Sequence, residues 1–225
     1  MQATDSIWLR DDPPPSRSTP LNRARIVAAA VPLLDSHGTT GLTMRLLAEA
    51  LGVTATALYW HVRTKDDVLD LAVDHIFGEV MLPEATPDWR ADVRLLIRGW
   101  RAAMLRHPWT PDLIGRPVPG PRVLARTEFL QSALSRGGLA DRDLAVTTRL
   151  LANYVIGAAL TEATFRGTTG PRTRSEARRQ ITANPAAYPT LNASGHLDPT
   201  RWNADDLFDR GLDALLATTP KPRRR

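Results

Sequence analysis

GLTMRLLAEALGVTATALYWHVRTKDDVLD, residues 41–70, is the stretch on which the fold turns. Thr43 is placed to cap a helix from Met44 to Leu51, its hydroxyl accepting from an orphan amide of the first turn, and Gly52 stops that helix after about two turns. Thr54 caps a second short helix, from Ala55 to His61. Thr64 opens a longer one with Asp66 and Asp67 in its first turn, where the helix dipole favours anions. Helices this short bury little alone. Packed between a helix before and a longer helix behind, they make a compact helix-turn-helix unit.

Working outward, Ile26, Val27, Ala30, Val31, Leu33 and Leu34 recur at helical spacing, with Gly38 as the stop and Pro32 predicting a kink. Before them, DDPPPSRSTP (11–20) is an extended proline-rich segment, so residues 1–20 are expected to form an arm outside the core. Downstream, the longer helix is expected to reach Val80. A helix from Asp88 to Arg106 presents Trp89, Val93, Leu96, Ile97, Trp100 and Met104 on one face; Arg90, Arg94, Arg98 and Arg101 on the other read as a solvated stripe. Further helices are predicted around Val123–Leu134, ending at Gly137-Gly138, and from Asp141 to Phe165, the most apolar segment and the expected centre of a second domain. RGTTGPRTR (166–174) reads as a loop, SEARRQITANPAAYPTL (175–191) as an irregular helix, and Asn203–Ala217 as the last helix. No strand pattern appears. The expectation is an all-α chain: arm 1–20, DNA-binding domain 21–80, a second domain 84–218, and a basic tail 219–225.

Composition removes whole classes of function. The 225 residues are 43% hydrophobic and 24% charged, which suits one globular domain or two small ones. Without cysteine there is no disulfide framework, thiolate metal cluster or cysteine nucleophile. No signal-peptide pattern opens the chain and no uninterrupted apolar run approaches about 20 residues, so a cytoplasmic protein without membrane contact is expected. The net charge of +5 is unevenly spread: residues 1–80 hold 7 basic and 10 acidic side chains, residues 81–225 hold 22 and 14. Bulk charge therefore does not single out the N-terminal third. Arginine supplies 27 of the 29 cations, a bias that fits a GC-rich coding sequence. There is no GxSxG elbow, HExxH pair or phosphate-cradling glycine loop, so no catalytic residues are expected. His75, His107 and His196 lack a second ligand at i+3 or i+4, so neither metal nor cofactor is expected.

A helix-turn-helix lays its second short helix in the major groove, its first residues at the base edges and its flanks on phosphates. The exposed positions there would be Ala55, Thr56, Tyr59, Trp60 and His61, while Leu58 and Val62 turn inward toward Leu46, Leu47 and Leu51. Arg45 is the one side chain able to make a bidentate contact to guanine, and Lys65 is placed as a phosphate clamp. Asp66, Asp67, Asp70 and Asp74 would face away from DNA.

Residues 41–70 closely resemble the DNA-binding domain of TetR-family transcription regulators. Gly41-Leu42-Thr43, the pattern Leu47-Ala48, Leu51-Gly52-Val53, and Leu58-Tyr59-Trp60-His61-Val62 followed by Lys65 are most similar to the tetracycline-repressor branch. The resemblance implies DNA contacts at Thr43, Arg45, Thr56, Tyr59, Trp60, His61 and Lys65. Ala55 stands where that branch has a base-reading glutamine, so the operator sequence does not carry over.

A weaker resemblance continues through Asp112–Pro117 and Asn153–Leu160, segments similar to those lining the drug pocket and dimer core of that branch. Met81, Asp112 and Thr161 occupy the positions of its magnesium-coordinating histidines and glutamate, so a tetracycline–magnesium ligand is not expected. An effector pocket could instead be built from Trp100, Met104, Trp109, Phe129 and Tyr154 with Arg116 and Asn153, suiting a mostly apolar or aromatic molecule. Each of these equally suits ordinary core. The family implies a four-helix dimer interface, here Gly157, Ala158 and Ala159 with Leu212 and Leu215. The expected function is a homodimeric repressor, bound to a near-palindromic double-stranded operator and released by a small molecule that moves the helix from Lys65 to Val80. A dimeric regulator without an effector and a helical enzyme stand as alternatives.

Overall fold

The computed structural model describes residue 7 and residues 21–113, 120–167 and 170–217. Helices account for the secondary structure among them, with no strand. The first, α1 (Arg23–Gly41), is capped by Asn22, whose side chain accepts from the Arg25 amide at 2.8 Å. Pro32 lies within α1, but the non-helical backbone falls at Gly38 (φ 66°), not at the proline. Only glycine takes that left-handed conformation without strain. Ile26, Val27, Ala30, Val31 and Leu34 form the buried face of α1. Ile7, inside the segment expected to lie outside the core, is 1% exposed and packs within the core cluster. It is an isoleucine upstream of the prolines, and burying such a side chain gains about 1.5–3 kcal/mol.

Helices α2 (Met44–Leu51), α3 (Ala55–Tyr59) and α4 (Lys65–Phe77) follow. A reciprocal capping box starts α4: the Thr64 hydroxyl accepts from the Asp67 amide at 3.1 Å, and the Asp67 carboxylate accepts from the Thr64 amide at 3.3 Å. This helix stops short of the expected Val80. The Gly78 and Val80 carbonyls are taken by the guanidinium of Arg126, on α6 (Pro121–Arg136). Conversely, Gly120 provides α6 no side-chain cap, and Asp74 of α4 supplies it, accepting from the amides of Arg122 (2.8 Å) and Val123 (3.0 Å).

The second half of the chain packs α5 (Trp89–Arg106), α6, α7 (Asp141–Arg166) and α10 (Ala204–Ala217) around Leu96, Ile97, Leu130, Leu134, Leu151, Val155 and Leu212, all completely buried. Among the described residues, α7 is the one helix long and apolar enough to cross a membrane, but its stripe Thr147, Leu151, Val155 and Ala159 is buried in the protein core. The residues expected to be a loop before Ser175 are partly helical, because α8 (Gly170–Ala183) begins at Gly170. A short α9 (Pro189–Ser194) precedes α10.

The arginine stripe of α5 is not simply solvated. Arg94, Arg98 and Arg101 donate to Asp213 (2.6 Å), Asp209 (2.8 Å) and Asp205 (2.7 Å), a ladder joining α5 to α10. Spacings of four and three on α5 and of four on α10 bring these charges to facing edges, a match that one helix read alone cannot show. Only Arg90 keeps its place beside Trp89, 4.3 Å from the ring centroid.

At the start of α5, Asp92 is 2% exposed and accepts from the Thr86 amide (2.9 Å), the Thr86 hydroxyl (2.8 Å) and Arg136. Burial alone would raise this carboxyl, but the Thr86 bonds and Arg136 outweigh it and hold it below its ordinary 3.8. A carboxyl lowered on folding stabilises fully above its unfolded value and loses that contribution as pH falls through the folded value. Asp92→Asn protein should therefore melt lower at neutral pH and lose less stability on acidification than the parent, in melts taken from neutral pH down to about pH 2. Parallel curves would remove this role.

Candidate nucleic-acid interface and effector cavity

Threonine caps set the angle between the two short helices. The Thr43 hydroxyl accepts from the Leu46 amide at 3.1 Å, and the Thr54 hydroxyl from the Ala57 amide at 3.2 Å. Between them Gly52 takes φ 66°. Leu47, Leu58 and Val62 are completely buried, and Leu46 and Leu51 half-buried, which anchors α3 by one face. The helix ends at Tyr59, shorter than expected; the Leu58 carbonyl then accepts from the amides of His61 and Val62, forming a tight turn. That turn throws the aromatic side chains outward, Tyr59 47% and Trp60 78% exposed. Thr43, Arg45, Ala55 and Thr56 are also exposed, while His61 and Lys65 are half-buried. Of the acidic residues nearby, Asp67 and Asp74 are buried in capping bonds, so their charge is turned inward.

A polar junction joins this unit to the rest, and nothing in the sequence announced it. Asp35 of α1 accepts from the Trp109 indole N–H (2.7 Å) and pairs with His107 Nδ1 (2.8 Å). His107 Nε2 lies 3.2 Å from Glu79, which also takes Arg106 at 2.6 Å. Burial would raise the Glu79 carboxyl, but Arg106 and His107 outweigh it and lower it. Asp35, Glu79 and the 106–109 segment, distant from one another in sequence, meet here, so no local spacing could have revealed the junction.

The residues expected to line one effector pocket divide between two places. Trp100, Met104 and Trp109 are 6%, 1% and 4% exposed and pack in the core, with Trp100 edge-to-face on Phe77 at 5.8 Å; Phe129 is half-buried against the same core. Trp109 is held by Asp35. The indole N–H of Trp100 has no acceptor among the described residues. Arg116 lies outside the described residues. Asn153 and Tyr154 instead line a cavity of about 740 Å³ between α7, α8 and the chain entering α10, a size suited to a drug-like ligand. Tyr154 stacks on Phe208 (5.3 Å) and donates to its carbonyl at 2.7 Å. Its hydroxyl passes so close to Gly211 that a Cβ there would stand 2.2 Å away.

The expected dimer residues also divide. Ala159 and Leu212 are completely buried within the single chain and serve its own core, so they cannot form the face; Leu215 is half-buried, and Gly157 and Ala158 border the cavity. The apolar side chains left outside are Val146, Leu150 and Leu160 of α7 and Leu207 of α10, each 42–50% exposed. The core stripe and this exposed stripe lie on different faces of α7. Helical periodicity alone could not say which face would be covered by the chain itself.

Residues 26–72 match the family model described as bacterial regulatory proteins, tetR family, and residues 82–218 match the tetracyclin repressor-like C-terminal domain. The chain belongs to the TetR family. Within it, the chain is 43% identical over 218 residues to an HTH-type transcriptional regulator of Saccharopolyspora erythraea, spanning 96% of this chain and 91% of that one. It is 27% identical to the class A tetracycline repressor protein from transposon 1721 of Escherichia coli, covering 91% and 93% of the two chains. The Streptomyces coelicolor TetR family protein ActR, solved in complex with actinorhodin, superposes with a TM-score of 0.78 at 29% identity, over 89% of this chain and 95% of ActR. Like other TetR-family proteins, this chain is a transcriptional regulator with an N-terminal helix-turn-helix, and it is not an enzyme.

In this TetR-family chain Asp35 is the single acceptor for two buried donors on the far side of the junction. Asp35→Ala should cost about 1–3 kcal/mol in denaturant unfolding, since the Trp109 N–H would be left buried without an acceptor. An unchanged midpoint would show that the junction contributes nothing.

Proposed function

We propose that this regulator is a homodimeric repressor that binds a near-palindromic operator and leaves it when a small, largely aromatic molecule occupies the second domain. The observation that carries the reading is the outward turn at Tyr59-Trp60, an exposed aromatic pair on a rigidly capped α3. Arg45 and Thr56 stand beside it for base and phosphate contacts, with Thr43, Ala55, His61 and Lys65 completing the face. One short helix contacts few base pairs, so a dimer with half-sites about 34–36 Å apart supplies the affinity. Val146, Leu150 and Leu160 of α7, with Leu215 of α10, form the proposed four-helix interface. The division between a DNA-binding domain and a second domain falls, on this reading, between Val80 and Glu84.

Occupancy of the second domain reaches α3 through α4. The Phe77–Trp100 contact and the Asp74 and Arg126 caps tie α4 to α5 and α6, so a shift of those helices carries α4 with it. A differential affinity of about 1–3 kcal/mol between the two arrangements gives about 5- to 150-fold release. The relative ActR, crystallised with actinorhodin, supports a small-molecule ligand in this fold.

The test is a titration of the full chain onto the DNA upstream of its own gene, at several salt concentrations. Trp60→Ala should weaken binding at least tenfold, and Lys65→Ala should reduce the salt slope by about one, as expected for a lost phosphate contact. Binding unaffected by Trp60→Ala would refute the interface.

A further inference from the structure

The cavity beside α7 is lined by two arginines, Arg101 and Arg174, and two carboxylates, Glu162 and Asp198. Of its lining side chains, Arg101 is held by Glu162 and Asp205, Glu162 also takes Arg166, and Asp198 takes Arg178. Arg174 is the lining arginine that no carboxylate holds among the described residues; its guanidinium lies over the Phe165 ring, 4.1 Å from the centroid. The Nε atoms of both Arg101 and Arg174 are buried without an acceptor. Arg174, lining the cavity without a carboxylate among the described residues, leaves a place where an anion could pair. Phe165, the stacked Tyr154 and Phe208, Trp202 and Leu207 make the rest of the wall largely aromatic and apolar, with Asn153, Thr161, His196 and Asn203 as its polar groups.

We infer that the effector of this regulator is a planar aromatic carboxylate held in the cavity between α7, α8 and α10, its anion accepting from Arg174 and Arg101 and its ring lying among Phe165, Tyr154 and Trp202. This rests on the repressor reading and gives its effector a charge. A carboxylate is the fitting partner because guanidinium binds planar oxyanions through parallel hydrogen bonds, and a dry aromatic wall strengthens the pairing. The site is also wired. Arg101 is both a wall of the cavity and the rung that binds α5 to Asp205 of α10, so a ligand anion competes for a contact that sets the position of α5.

The experiment is isothermal titration of the full-length protein with 2-naphthoate and with the isosteric neutral 2-naphthamide. The carboxylate should bind at least tenfold tighter than the amide. Arg174→Gln should abolish that preference while leaving the melting temperature and operator binding unchanged, because Arg174 holds no ion pair among the described residues. Phe165→Leu should weaken both ligands together. Equal affinity for the two, a preference that survives Arg174→Gln, or no heat from either would overturn the inference; the last would mean that a second copy of the chain or nothing at all fills the cavity. Gel shifts on the same samples separate the two failures. Protein that binds its operator but ignores naphthoate refutes only the effector assignment, whereas protein that binds no operator refutes the repressor reading.

Discussion

Two helices cap each other. Asp74 of α4 accepts from the first amides of α6, and Arg126 of α6 donates to the carbonyls that close α4, so neither terminus is satisfied without the other. Helix ends leave up to four backbone groups unpaired, and burying them without partners is costly. Exchange of caps between elements therefore gives α4 and α6 a directional tie that apolar contact, being non-directional, does not supply. Burial raises the Asp74 carboxyl above its ordinary value, opposed by the two amides and the nearby arginines, and the Arg126 guanidinium is lowered by burial in turn. Both are signs that charge has been taken into the protein to hold this joint. Because α4 also completes the packing beneath α1, the joint determines where the helix-turn-helix sits.

Two further connections run beside it. Asp35, His107, Trp109 and Glu79 bind α1 to the end of α5 and the segment after it, and the arginine–aspartate ladder binds α5 to α10. Surface ion pairs contribute little individually, but a ladder of three fixes the register of two helices and gives them a defined way to slide. The chain from the cavity at Arg101, through α5, to Trp100 on Phe77 of α4 is continuous in contacts. That continuity is what a regulator of this build requires, since coupling between distant sites needs elements with discrete packed arrangements.

Much of the DNA-binding unit was legible locally. Thr43, Gly52, Thr54 and Thr64 act through neighbours no more than four residues away, and their bonds appear where the spacing predicts. Tyr59 and Trp60 could be placed outside because Leu58 and Val62 had to go inside. The second domain was less legible. Trp100, Met104, Trp109 and Tyr154 look alike as apolar helix residues, yet one is an orphan donor in the core, one a filler, one a junction and one a cavity wall. Likewise Ala158 and Ala159 are adjacent small residues, and a rotation of about 100° along α7 sends one to the cavity and the other to the core.

The sequence by itself determined the short helices after Leu42, their threonine caps and the exposed Tyr59-Trp60 turn, because those depend on interactions within one or two helical turns. Tertiary structure alone decided which arginines are paired, which face of α7 is covered, where α4 ends and where a ligand could enter. Each of those outcomes depends on groups brought together from opposite ends of the chain, and a helix carries no local record of its neighbour's charge.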